Sequence, residues 1–290
     1  MNKILILFLL FFQISYCQTN DRIIEAFIED FTRTQYTLPD SSFHYIQKAV
    51  SIAQKEDSSQ LSVCFFYLGR YYYNQGNIIK ARSWISKSLS SAAKTDNKKA
   101  LALNYNLLGL IEMDKGNYTS SLQYLLKSLD LADKNNLAKN KCNALNNLGT
   151  LYELQKDTLK ALKCYTDNVE IAKSNNFNDA LLYSYTSLGI INRAANKNDA
   201  IHYYNLAYAI ANKLNDNYQK ASILLNISEV YLSTGIEANY SKAYNCLQKL
   251  KEIGEKTQNN DHLFYYYFNM GAYYSKTKNT TIPLPCISMH

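Results

Sequence analysis

Few side chains in this sequence have the types and spacing that catalysis or metal binding requires. The four histidines, at positions 44, 202, 262 and 290, have no partners at the spacing of a metal site, and the six cysteines form no Cys-x-x-Cys pair. The sequence contains no Gly-x-Ser-x-Gly nucleophile elbow, no His-Glu-x-x-His motif and no glycine-rich phosphate loop. These observations argue against an enzyme, and we expect neither a metal ion nor a cofactor.

Hydrogen bonding and ion pairing are the chemistry that remains. Asn106 and Asn146 lie 40 residues apart, and a carboxamide both donates and accepts hydrogen bonds, so it can bind the backbone of an extended peptide without reading its sequence. Arg70 and Arg193 can each hold a carboxylate in a bidentate pair. The alternative is that the asparagines cap neighbouring groups or simply face water.

The charge of the chain does not point to a nucleic acid. The formal net charge is +7, but the lysines are scattered through predicted helix ends and turns. No run of five or six like charges occurs, which indicates solvated helix surfaces. We therefore expect a protein or peptide as the partner.

A recurring Leu-Gly dipeptide indicates the repeated elements that must position these side chains. Its close copies, spaced by 40 residues, are Leu68-Gly69, Leu108-Gly109, Leu148-Gly149 and Leu188-Gly189, and looser copies are Ile227-Ser228 and Met270-Gly271. A fixed period in this range is typical of a stack of repeats. The stretch between Pro39 and Pro283 contains no proline, as expected for continuous helices.

Apolar periodicity predicts the helices. The first covers 21–35, and Pro39 precedes the second. Each later unit is a helix pair, such as 59–75 followed by 78–94, and a final helix covers about 260–275. We therefore expect the domains to be a divergent first helix pair over 18–57, an array of about five repeats plus a half-repeat over 58–276, and a tail over 277–290.

Residues at fixed distances from the Leu-Gly dipeptide, which we call columns, follow the pattern of a known repeat family. The second unit reads Phe65, Leu68-Gly69, Tyr72, Ala81 and Ile85, and the later units repeat this pattern, with Glu112 and Asn192 in place of the tyrosine. The pattern resembles the tetratricopeptide repeat family in a variant with a 40-residue period, similar to the exported repeat regions of Bacteroidetes signalling proteins. The resemblance implies an all-α fold, a right-handed α-solenoid of antiparallel helix pairs, in which Gly69 faces Ala81.

The same resemblance implies where a partner binds. In this family the first helix of each pair lines a concave groove, and helical spacing from the core columns places there Arg70, Tyr73, Asn106, Asn146, Thr150, Glu153 and Arg193. The implied function is that of a non-enzymatic scaffold that binds a protein or peptide segment. The alternative is a sensor fragment of a membrane-bound signalling protein, a histidine kinase or a DNA-binding regulator, whose output domain is missing.

Both ends of the sequence carry further expectations. Lys3, the apolar run from Ile4 to Phe12 and a cleavage site after Cys17 predict a signal peptide over 1–17, hence a periplasmic or extracellular protein. A lipid-modified Cys17 is the alternative, and we expect membrane attachment only in that case or if a downstream segment is missing. Two prolines in 277–290 forbid the next helix, so we expect either a truncated or frame-shifted end or an irregular tail.

Overall fold

The computed structural model describes residues 20–35, 38–56 and 58–277. The predicted signal peptide, Cys17 and the tail from residue 278 onward lie outside the described residues. Within the described ranges the chain forms helices and no strands. None of these helices combines the length and the apolar character that crossing a bilayer requires.

The helices follow one another with short connections. They are α1 (20–34), α2 (Pro39–Lys55), α3 (Leu61–Asn74), α4 (Ile78–Lys94), α5 (Lys98–Asp114), α6 (Tyr118–Lys134), α7 (Ala138–Leu154), α8 (Thr158–Ser174), α9 (Asn178–Ala195), α10 (Lys197–Lys213), α11 (Asn217–Ser233), α12 (Glu237–Thr257) and α13 (Asn260–Thr277). We call the odd-numbered helices A helices and the even-numbered ones B helices.

The chain divides into two compact units at Gln155 and Lys156. In unit 1, which holds α1 to α7, α3 packs on α4 and α5 packs on α6, while α5 also contacts α3 and α7. In unit 2, which holds α8 to α13, α9 packs on α10 and α11 packs on α12, while α13 contacts both α11 and α12. The predicted all-α fold of antiparallel helix pairs is confirmed.

Turn residues explain why the helices begin and end where they do. Gly76 and Gly116 follow A helices and take positive φ angles of 70° and 76°, which favour glycine. Four links after B helices take the same left-handed conformation at Asp or Asn, the side chains that tolerate it best, namely Asp96, Asn136, Asn176 and Asn215, and the link after α12 takes it at Gln258. Polar caps then start the next helix, as where the Asn77 side chain accepts a hydrogen bond from Lys80 N at 3.1 Å.

The recurring glycine marks the point where the two helices of a pair approach most closely. A Cβ added at Gly69 would lie 3.2 Å from Ile85 Cγ1 and 3.3 Å from the Ala81 carbonyl oxygen. The predicted neighbour Ala81 is therefore at the crossing, and Ile85 is the side chain that covers the glycine. Added Cβ atoms at Gly109 and Gly189 would approach Leu125 to 2.6 Å and Tyr204 to 2.5 Å.

Glu112 departs from the pattern because it stands in a tyrosine column, and its surroundings compensate its charge. It is 8% exposed. The Arg82 guanidinium of α4 pairs with one carboxylate oxygen, and Asn117 Nδ2 donates to the other at 2.8 Å. The Asn117 hydrogen bond and the Arg82 charge outweigh desolvation and hold the pKa of Glu112 below its usual range. A buried carboxylate with two partners thus takes the place of a ring.

Candidate functional site

Unit 1 brings polar side chains of neighbouring A helices into contact. Tyr73 Oη on α3 donates to Asp114 Oδ2 on α5 at 2.7 Å. Asn147 Nδ2 on α7 donates to Asn106 Oδ1 on α5 at 3.0 Å. Each bond joins residues 41 apart, so the repeat period stacks polar groups along the row of A helices.

The Asn106–Asn147 pair has the geometry of a backbone clamp. Both side chains are half-buried. Their mutual hydrogen bond uses one acceptor and one donor. In the part of the chain that the structure describes, no protein group pairs with Asn106 Nδ2 or with Asn147 Oδ1. The pair therefore presents one donor and one acceptor, which is the complement of a peptide group in an extended chain.

The sequence predicts that Asn106 and Asn146 contact a peptide backbone, and for Asn146 this stays a prediction. The side chain that bonds to Asn106 belongs to the next residue, Asn147. Asn146 is 8% exposed. No sequence signal singles out Asn147, because its column holds both large and polar residues in the other units, namely Tyr67, Leu107, Ser187, Asn226 and Asn269.

The other predicted groove residues of unit 1 also lie on A helices. Arg70, Thr150 and Glu153 are half-buried. Thr150 Oγ1 donates to the Asn146 carbonyl oxygen of its own helix at 3.2 Å. The charge of Arg70 acts on Tyr67. Burial raises the pKa of the Tyr67 hydroxyl, and the positive charge of Arg70 partly offsets this rise.

Arg193 belongs to unit 2, and the carboxylate that it meets is in the chain itself. Arg193 Nη1 donates to Glu229 Oε2 on α11 at 2.5 Å. The two side chains keep comparable exposure, 40% and 39%. An exposed pair of this kind contributes little to stability, and a partner's carboxylate can compete for the guanidinium.

Burial keeps the thiols of Cys64 and Cys164 protonated at neutral pH. Cys64 and Cys164 are buried, and burial raises the pKa of the Cys64 thiol to about 12 and that of Cys164 to about 11. Within the described ranges, no group of three or more His, Cys, Asp or Glu side chains is arranged to hold a metal ion.

Known proteins share this fold. A Signal Transduction ATPase with Numerous Domains from Pyrococcus horikoshii, described as having a tetratricopeptide repeat sensor, aligns at 18% identity and TM-score 0.65 over 88% of this chain and 38% of that one. BtubC from P. vanneervenii aligns at 17% identity and TM-score 0.61 over 81% and 92%. A Rap protein complexed with competence and sporulation factor aligns at 15% identity and TM-score 0.62 over 88% and 75%.

These identities show the fold alone, and this chain spans little more than a third of the Pyrococcus protein. No curated protein matches the sequence. The family model described as tetratricopeptide repeat matches residues 99–174 and 140–213. The matched segment, residues 99–213, therefore belongs to the tetratricopeptide repeat family, and the helices on either side of it follow the same order of A and B helices.

Proposed function

We propose that this protein is a non-enzymatic scaffold that binds an extended peptide segment on the A helices of unit 1. Tetratricopeptide repeats are in general modules of protein interaction. The observation that carries the proposal is the Asn106–Asn147 pair, which presents a donor and an acceptor from two neighbouring helices. The Rap protein complexed with competence and sporulation factor supports it by analogy, as a protein of this fold in complex with a named factor.

The pair suits a partner whose side chains vary. Hydrogen bonds to the backbone give affinity and orientation, whereas the side chains that flank the clamp select among sequences. Arg70 and Glu153 lie on the same row of A helices and carry opposite charges. Charged side chains of the peptide would then fix its direction along the row.

A peptide selection tests the proposal. Random decapeptides displayed on phage are selected on the full chain, and the best binder is remeasured by calorimetry. Each clamp bond contributes about 0.5–1.5 kcal/mol, so Asn106→Ala and Asn147→Ala should each weaken binding about two- to twelvefold. Asn205→Ala on α10, an exposed amide on a B helix of unit 2, is the matched control and should not change the affinity. An unchanged affinity in both clamp variants contradicts the proposal.

We further propose that the protein acts outside the cytoplasm, because the first 17 residues have the charge and apolar run of an export signal. Fractionation of an expressing cell, with amino-terminal sequencing of the exported chain, tests this. A mature chain that begins after Cys17 supports it, and an unprocessed chain in the cytoplasm contradicts it.

A second candidate function is that of a sensor region within a longer signalling protein. The Pyrococcus protein favours it, since it is described as having a tetratricopeptide repeat sensor and this chain aligns with only 38% of its length. The coding sequence around this chain in its genome discriminates the two functions. A membrane helix and an output domain in the same reading frame favour the sensor, and a stop codon directly after residue 290 favours the independent scaffold.

A further inference from the structure

Unit 2 contains a pocket that the peptide-binding proposal does not use. It has a volume of about 240 Å³ and lies where α11, the second half of α12 and the start of α13 meet. Leu225 and Leu250 give it an apolar floor, and Tyr218, Asp261 and His262 supply rings and polar groups. This volume is below the range of about 300–1,000 Å³ that is usual for drug-sized ligands, so it suits one side chain.

His262 is the unusual member of this pocket. It is 5% exposed, and both ring nitrogens are buried with no hydrogen-bond partner among the described residues. Its backbone N–H donates to the Asn259 side chain at 2.9 Å, which holds the residue in the first turn of α13. The Tyr218 ring lies 5.3 Å away, centroid to centroid. Buried polar groups are normally paired, so an unpaired imidazole lining a pocket indicates a missing partner.

The charge of the lining selects the partner. Asp261, which is exposed, is the only lining residue with a full charge, and it forms no ion pair with a cation of the described residues. A helix amino terminus favours anions, but Asp261 already occupies the first turn of α13. Tyr218 and Tyr265, which are 61% and 46% exposed, also line the pocket. A carboxylate beside aromatic rings favours a cation as the ligand.

The neutral imidazole favours the same ligand class. Burial lowers the pKa of His262, with Asp261 only partly opposing it, so the ring is uncharged at neutral pH, the form of imidazole that has one acceptor nitrogen. A guanidinium brings several donors in one plane, pairs with a carboxylate through two parallel bonds and stacks on aromatic rings. Its hydrocarbon stem would lie against Leu225 and Leu250.

We propose that this pocket binds the guanidinium group of an arginine, held by Asp261, His262 and the two tyrosine rings. The site stands independently of the Asn106–Asn147 clamp, which belongs to unit 1. Free arginine and an arginine within a peptide share this chemistry, and the experiment below separates them.

Histidine NMR on the full chain is the test, because the Cε1–H signal of His262 reports the pocket and that of exposed His202 serves as an internal control. The probes are N-acetyl-arginine N-methylamide, which mimics a peptide, and free L-arginine. The neutral analogue N-acetyl-citrulline N-methylamide has the same shape without the charge. We expect a saturable shift at His262 and none at His202, with citrulline binding at least tenfold more weakly.

Variants complete the test. Asp261→Asn should weaken arginine binding at least tenfold, and Glu237→Gln, which removes an acidic residue from the first turn of α12, should leave it unchanged. Binding of both arginine probes assigns the site to the free guanidinium class, and binding of the blocked probe alone assigns it to peptides. Equal binding of citrulline, equal shifts at His202, or full binding by Asp261→Asn overturns the proposal.

Discussion

At the scale of single residues, glycine and the large side chain above it set the distance between the helices of a pair. The glycine supplies space, and Ile85, Leu125 or Tyr204 fills it. Gly271 occupies the same column, but nothing among the described residues lies within 4 Å of a Cβ placed there. Glycine therefore allows close packing at Gly109 but not at Gly271, and substituting alanine at each position distinguishes the two cases.

Gly109→Ala tests this role. The added methyl would overlap Leu125, and overpacking a core typically costs about 1–3 kcal/mol, against a gain in helix propensity of about 0.5–1 kcal/mol. We expect a net loss in the free energy of unfolding, measured by urea denaturation. Gly271→Ala keeps only the propensity gain and should raise stability by about 0.5–1 kcal/mol. Equal effects of the two substitutions would contradict the packing role of Gly109.

The Arg82–Glu112 pair gives stability a pH dependence. The pKa of Glu112 is lowered in the folded state, chiefly by the Asn117 hydrogen bond, so its contribution is complete above the unfolded value of about 4.5 and is lost as pH falls through the folded value. Glu112→Gln should cost about 1–3 kcal/mol at pH 7. The difference from the parent should shrink below pH 4.5.

Urea denaturation between pH 7 and pH 3 measures this difference. Glu237→Gln, a change at an exposed carboxylate, is the control and should not alter the pH dependence. A Glu112→Gln deficit that stays constant down to pH 3 would show that shape, rather than charge, matters at this position.

At the scale of elements, the sequence predicts the helices well and their lateral contacts poorly. The predicted helix 78–94 coincides with α4 at Ile78–Lys94, and the predicted helix at about 260–275 agrees with α13 at Asn260–Thr277 to within two residues. Helix ends can be predicted because caps, glycines and apolar periodicity are local signals. The Asn106–Asn147 bond depends on which of two adjacent side chains turns toward the next A helix. The His262 pocket depends on three helices at once. Neither contact can be predicted from the spacing of residues within one helix.

The cap of α4 can be tested as an element. Asn77 Oδ1 accepts a hydrogen bond from Lys80 N at 3.1 Å, and loss of an N-cap side chain costs about 1 kcal/mol. We expect Asn77→Ala to lower the thermal midpoint and Asn77→Asp, which keeps the acceptor, to leave it nearly unchanged. Equal losses in both variants would show that the capping oxygen is not what Asn77 contributes.

At the scale of the whole molecule, each unit is built from contacts between helices close in sequence. In unit 1 the buried cluster that includes Ile24 and Ile46 is distinct from the one that includes Phe66 and Ile111, and Tyr67 and Tyr72 pack against both. Along the unit, α2 contacts α3, α3 contacts α4 and α5, and α5 contacts α6 and α7. Stability in such an array is the sum of the contributions of single repeats and of their nearest-neighbour interfaces.

Local destabilisation should therefore remain local. Leu125 is fully buried over Gly109, and its truncation to alanine should cost about 2–5 kcal/mol. We expect Leu125→Ala to speed amide hydrogen exchange in α5 and α6 far more than in α1 and α2, because two further helices lie between these pairs. Ile46→Ala, which removes a buried side chain of α2, should give the reverse pattern. Mass spectrometry of exchanged peptides from both variants measures this. Equal acceleration along the whole of unit 1 in both variants would mean that the unit opens as one cooperative body, against the nearest-neighbour description.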